Sequence, residues 1–236
     1  MTMLVLLPGM DGTGALRSEF ITALAPAIQS IVVSYPAERA LGYIELEAVV
    51  RSKLPSDRPY VLLGESFSGP IAIAIAAKRP PGLIGLVLCC SFARNPRPVL
   101  GSLRWLLPLF PFKRIPTGLL SPFVLGSFAT ATLQAALSTV VSEIPRATLR
   151  TRAAAVLAVD VSSLLPDIRV PVLYLRSSQD RIVPRSCSEA IVRGAPQTRI
   201  VEINGPHFLL QAAPAEAAKA VRDFLETLAP TSTPKL

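Results

Sequence analysis

Short apolar runs alternate with helically spaced ones along most of this 236-residue chain. Residues 3–7 (MLVLL), 31–35 (IVVSY), 60–63 (YVLL), 84–89 (IGLVLC), 172–176 (VLYLR) and 199–203 (RIVEI) predict six strands. Four are apolar nearly throughout, the pattern of strands covered on both faces. Between them Tyr43, Leu46, Val50 and Leu54 recur at helical spacing, as do Ala217, Val221, Phe224, Leu225 and Leu228 near the C-terminal end. The stretch after Ser66 is apolar all round (Ile71, Ala72, Ile73, Ala74, Ile75), which predicts a helix buried against the sheet. Pro70 suits its first turn, where a missing N–H costs little. Strand–helix alternation of this kind predicts an α/β fold, a mostly parallel sheet of about six strands with helices on both faces.

The alternation fails over 92–166. That stretch opens Pro-rich and irregular (RNPRPVLGSLRWLLPLFPFKRIPTG) and turns helical over 129–141 and 145–158. A connection of this length usually carries structure or function of its own. It is expected to be a mostly helical cap inserted after the fourth strand, dividing the chain into a core (1–91 and 167–229), a cap (92–166) and a flexible tail (230–236). The cap's Trp105, Leu106, Leu107, Leu109, Phe110 and Phe112 exceed what a polar connector needs.

Composition adds a charge asymmetry. Hydrophobic residues make up 50% and charged residues 17%, as in a globular chain, and the net charge is +8. Of this, +6 lies in 92–166, which holds eight Lys/Arg against Glu143 and Asp160. Such an excess suits an acidic partner, a membrane surface or nucleic acid, or simply keeps a surface solvated. Cys89, Cys90 and Cys187 give neither a CxxC spacing nor an even count, so reduced thiols are expected. The first residues, MTMLVLLPGMDG, have no basic leader, and no uncharged apolar run reaches the roughly 18 residues of a membrane span. A cytoplasmic location is expected.

The chemistry centres on LLGESFSGP at 62–70, where a serine separates a buried strand from a buried helix. It is either an ordinary helix N-cap or a nucleophile on a strained turn, with Gly64 and Ser68 as the small flanking residues. A serine needs a base. The one histidine, His207 in NGPHFLLQ, directly follows the last strand, at the sheet edge where α/β folds place their sites. The base needs a carboxylate to fix its tautomer. Asp180, in SSQDRIVP after the fifth strand, lies on that edge, whereas its rivals Asp160 and Asp167 precede the strand. The order Ser66, Asp180, His207 is one of the known triad orders. The glycine-rich LPGMDGTG at 7–14 opens a helix and could present backbone N–H groups to an oxyanion. It lacks both the Lys-Ser/Thr of a P-loop and the dinucleotide spacing, which argues against nucleotide binding.

LPGMDGTG, GESFSG, SSQDRIVP and GPHFLLQAAP together resemble the α/β-hydrolase superfamily over nearly the whole chain outside the cap. The resemblance implies that the oxyanion donors are the backbone N–H groups of Met10 and Phe67, with Pro8 standing where the family often has histidine. It also implies a minimal version of the fold, beginning at the family's third strand. A serine excludes the branches that use an aspartate nucleophile. Hydrolysis of carboxylic esters through an acyl-enzyme is the expected reaction. Thioester hydrolysis, carrier-protein-dependent methyl ester hydrolysis and acyl transfer are alternatives on the same site, and a non-catalytic binding protein is a further one. Trp105, Leu106, Phe110 and Phe208 are the expected substrate-binding residues. No cofactor, metal or nucleic-acid partner is expected. The basic cap suggests an acidic carrier protein or a lipid interface as partner.

Overall fold

The computed structural model describes residues 2–101 and 117–228. Its six strands are β1 (Met3–Leu7), β2 (Gln29–Val32), β3 (Tyr60–Glu65), β4 (Leu83–Cys89), β5 (Val172–Ser177) and β6 (Thr198–Ile203). They form one sheet in the order β2-β1-β3-β4-β5-β6, and every pairing is parallel. Leaving β1, the chain goes first to one neighbour, β2, and later returns to the other, β3. The order therefore reverses at β1, and such a switch point is where open α/β sheets place their ligands, beyond the strands' carboxyl ends.

Period-2 alternation divides the core. Leu4, Leu6, Val61, Leu63, Val87, Leu173 and Leu175 face one side, against α1 (Ser18–Leu24) and α10 (Pro214–Leu228). Val5, Leu7, Leu62, Leu86, Leu88 and Val172 face the other, against α2 (Tyr43–Arg51), α3 (Gly69–Ala77) and α8 (Arg185–Gly194). The central strands lack a solvent face, so their runs are continuously apolar. The helix after Ser66 is buried as its all-apolar sequence predicts, with Pro70 in its first turn.

The second strand differs from the 31–35 expected. Its last pairing with β1 is Leu6↔Val32, and the Val33 N–H still reaches the Leu6 carbonyl at 2.9 Å. Beyond that the chain bends, and the Tyr35 N–H donates to the Gly12 carbonyl at 2.8 Å. Val33 and Tyr35 are buried, so the apolar run marks burial that continues after strand pairing ends.

Between β4 and β5 lies a helical insertion with α4 (Pro98–Gly101), α5 (Thr117–Val124), α6 (Ala131–Glu143) and α7 (Arg146–Ala158). Thr130 caps α6 by accepting from the Leu133 N–H at 3.2 Å, which starts the helix two residues later than its apolar spacing suggested. The insertion is clasped at its base. Arg94 and Asp160 form an antiparallel bridge, the Asn95 N–H donates to the Val159 carbonyl, and the Val161 N–H to the Ala93 carbonyl. Trp105, Leu106 and Phe110 lie outside the described residues, as do Arg104, Lys113, Arg114 and the 230–236 tail.

Candidate active site

β3 delivers Ser66 to the carboxyl edge of the sheet with φ 47°, a left-handed conformation that L residues seldom adopt. Two glycines make the turn sterically feasible. A Cβ at Gly64 would lie 2.8 Å from that of Ala72, and one at Gly69 would lie 1.7 Å from the Ser91 hydroxyl. Ser91, just past β4, donates from Oγ to the Ser66 carbonyl at 2.6 Å. Its own backbone is held by Tyr174, whose hydroxyl donates to the Ser91 carbonyl at 2.6 Å and accepts from its N–H at 3.0 Å.

The loops after β5 and β6 meet the same edge. Ser177 Oγ donates to the Gly205 carbonyl, and the Gln179 N–H donates to the same oxygen at 3.1 Å, which binds the two loops together. Asp180 and His207 are thereby juxtaposed. His207 Nδ1 lies 2.8 Å from Asp180 Oδ2, and His207 Nε2 lies 2.8 Å from Ser66 Oγ. The other oxygen, Asp180 Oδ1, accepts from the N–H groups of Ile182 and Val183, each at 2.8 Å. Burial pushes the Asp180 carboxyl up, but the hydrogen bond and charge of His207 and the two N–H bonds outweigh it, so its pKa lies below the ordinary value of 3.8. An ionised Asp180 accepts the Nδ1 proton, which leaves Nε2 with a lone pair facing the serine hydroxyl.

The rival carboxylates lie elsewhere. Asp160 holds the N–H and hydroxyl of Ser162, and Asp167 sits 3.9 Å from Arg79. Met10 and Phe67 follow the adjacent strands β1 and β3. Met10 occupies a turn closed by the Gly12 N–H on the Gly9 carbonyl at 3.1 Å, and the buried Phe67 ring stacks on Tyr43 at 4.8 Å. Phe208 is half-buried beside His207, and its N–H donates to the Val124 carbonyl of α5 at 3.2 Å.

A family model described as the alpha/beta hydrolase family matches residues 4–220. The chain belongs to that family. Solved structures agree on the fold. The enol-lactonase from Burkholderia xenovorans superposes with a TM-score of 0.84 at 16% identity, covering 95% of this chain and 91% of the other. A thermophilic esterase from Thermogutta terrifontis gives 0.83 at 21%, covering 98% and 91%. A bromoperoxidase from Bacillus anthracis gives 0.80 at 15%, covering 95% and 92%. The three names denote different reactions, so these likenesses establish the α/β-hydrolase architecture only. A search of curated proteins found no match. Among the described residues no helix is long and apolar enough to cross a membrane, and no group of three or more His, Cys, Asp or Glu could hold a metal ion.

Several residues of this α/β hydrolase's site are not apparent from motif spacing. Ser68, the fifth position of the serine motif, is more than a small residue. Its hydroxyl donates to the Pro8 carbonyl and pairs with Tyr35 Oη at 2.6 Å, joining the Ser66 turn to the glycine loop. Behind the turn, Glu65 forms a buried ion pair with Arg17 and accepts from Gln211 Nε2 at 3.1 Å. Arg17 also faces Asp11 at 3.9 Å. Burial raises the Asp11 pKa, but Arg17 and the bonds from Thr13 and Gly14 outweigh it and leave it below 3.8. The signal in the sequence is charge inside otherwise apolar stretches, since buried ionised groups need partners.

Proposed function

We propose that the protein hydrolyses carboxylic esters through an acyl-enzyme formed on Ser66. The observation that carries this reading is the continuous relay of 2.8 Å contacts from Ser66 Oγ through His207 to Asp180, on a serine held at φ 47°. As Ser66 Oγ attacks the ester carbonyl, His207 Nε2 takes its proton, and Asp180 stabilises the imidazolium. The N–H groups of Met10 and Phe67 receive the developing oxyanion. Collapse expels the alcohol, to which His207 returns the proton. A water activated by the same imidazole then releases the acid and frees Ser66.

Under this reading residues 1–91 and 167–229 are the catalytic core and 92–166 the cap, whose apolar residues Trp105, Leu106 and Phe110, together with Phe208, hold the acyl chain. The cap's basic excess favours an acyl group presented by an anionic carrier or surface. The test is a panel of 4-nitrophenyl esters of increasing acyl length combined with a fluorophosphonate probe. One label per chain on the Ser66 peptide, with turnover abolished in step, is the expected result. An unlabelled but active enzyme would rule the reading out.

A further inference from the structure

Arg152, on α7 of the helical insertion, has a fully buried side chain that reaches out of its own segment into the glycine loop of the core. Nη1 donates to the carbonyls of Met10 at 2.8 Å and Asp11 at 2.9 Å, and Nη2 reaches that of Pro36 at 3.5 Å. Its guanidinium lies over the Tyr35 ring, 5.7 Å from the centroid. One helical turn earlier, on the same face, Thr148 Oγ1 donates to the Ala37 carbonyl at 2.7 Å. Among the described residues no carboxylate lies within ion-pair distance of Arg152, so backbone carbonyls are its principal partners.

Burying a cation this way is a costly means of docking a helix, because apolar side chains of similar volume do the same with no charge to desolvate. Its contacts suggest what it is for. The Met10 carbonyl lies on the peptide that follows Met10, whose N–H is assigned to the oxyanion, and holding that carbonyl and the next restrains the turn and, through the Met10 φ and ψ, the direction of that N–H. Gly12 is shaped to the same end. It has φ 77°, and a Cβ there would lie 2.5 Å from Arg152 Nη1. Tyr35, beneath the guanidinium, bonds Ser68 of the nucleophile turn, so one arginine touches both halves of the proposed oxyanion site, directly or through one ring.

We infer that Arg152 is a positioning residue that sets the Met10 oxyanion donor, so that seating of the inserted helices on the core completes the catalytic site. This inference rests on the ester-hydrolase reading. It assigns the insertion a part in the chemical step besides any hold on substrate.

The test compares Arg152→Met and Arg152→Lys with Arg150→Met, whose side chain is exposed on the same helix. Each is assayed with a short 4-nitrophenyl ester, a trifluoromethyl ketone whose Ser66 adduct carries an oxyanion, and the fluorophosphonate probe. Losing one oxyanion donor costs about 10²–10³ in kcat, so a misaimed donor in Arg152→Met should cost roughly 10–100-fold with KM within about threefold. Affinity for the ketone should fall in step with kcat/KM. Arg152→Lys, which keeps the charge but not the fork, should fold if Arg152→Met does not, and should lie between it and wild type. Millimolar guanidinium should restore part of the rate to Arg152→Ala. Unchanged kcat and ketone affinity in a folded Arg152 variant would overturn the inference alone, as would a rise confined to KM or an equal loss in Arg150→Met. Failure of wild-type Ser66 to take the label would instead overturn the ester-hydrolase reading and this inference with it.

Discussion

Ser91 donates its hydroxyl to the carbonyl of Ser66 at 2.6 Å, and that bond closes over a position where only glycine fits, Gly69. The left-handed backbone of Ser66 is thus restrained from the neighbouring strand, not by the turn alone. The Ser66 carbonyl also accepts from the Gly69 N–H, so Ser91→Ala removes one of its two bonds and should destabilise the fold by about 0.5–1.5 kcal/mol. It should also slow turnover by loosening the turn. Gly69→Ala should be worse, because its new methyl would occupy the Ser91 hydroxyl's place. The double variant Gly69→Ala/Ser91→Gly removes that clash and should recover most of the lost stability but not the hydrogen bond. Urea unfolding of the three proteins measures this, and a double variant no more stable than Gly69→Ala would show the crowding is not what limits the turn.

Asp180 is engaged at both oxygens, one bound to backbone N–H groups and the other facing His207. Asp180→Asn can keep the first set of bonds but presents an amide N–H to Nδ1. That favours the tautomer with its proton on Nε2, where it cannot accept from Ser66. The expected loss in kcat is on the order of 10⁴-fold, with the protein still folded and KM little changed. Ser66→Ala should be at least as inactive. A folded Asp180→Asn enzyme within about tenfold of wild type would remove Asp180 from the relay.

The sheet was legible because four strands lack a solvent face, and a short apolar run between helically spaced segments is what a strand covered on both faces requires. That Ser66, Asp180 and His207 meet was legible because a parallel sheet brings the loops after β3, β5 and β6 to one edge whatever else the chain does. Periodicity could not locate the end of β2, since Val33 and Tyr35 stay buried after pairing stops. Ser68, Ser91, Arg17 and Arg152 were hidden for a different reason. Each acts through a contact with a segment distant in sequence, as Arg152 does with Met10 across 142 positions, and such contacts leave no spacing to read.

Asp11 and Asp180 both carry carboxyl pKa values depressed below 3.8 in the fold, after burial is outweighed by their partners. A depressed folded value means that the ionised carboxylate favours the native state. Their contribution to stability is fully present above the unfolded value and is lost as pH falls through the folded one. Thermal midpoints should therefore hold steady on their account down to about pH 5 and decline below about pH 4. Asp180→Asn should start from a lower midpoint and lose less of it on acidification. Parallel curves for wild type and variant over that range would show that Asp180 ionisation is not coupled to folding.

Arg97 changes how the basic insertion has to be tested. Its Nη2 donates to the Arg181 carbonyl at 2.8 Å and its Nε to that of Ile182 at 3.3 Å, in the loop that carries Asp180. Part of the insertion's charge thus stabilises the acid loop. Arg97→Glu would set a carboxylate against two carbonyl oxygens and displace that loop, so it should slow even a small neutral ester, at low and high salt alike. Arg94 is exposed and makes no such contact with the acid loop among the described residues, so Arg94→Glu should leave the neutral ester unaffected. If the insertion recruits an anionic acyl carrier, Arg94→Glu, alone or with Arg104→Glu, should lower kcat/KM for a carrier-bound ester. That loss should shrink as added salt shortens the screening length to about 8 Å at physiological strength. Measured across ionic strength with both substrates, an equal response in wild type and in Arg94→Glu would leave the surplus charge, Arg97 and Arg152 apart, as a solubility feature.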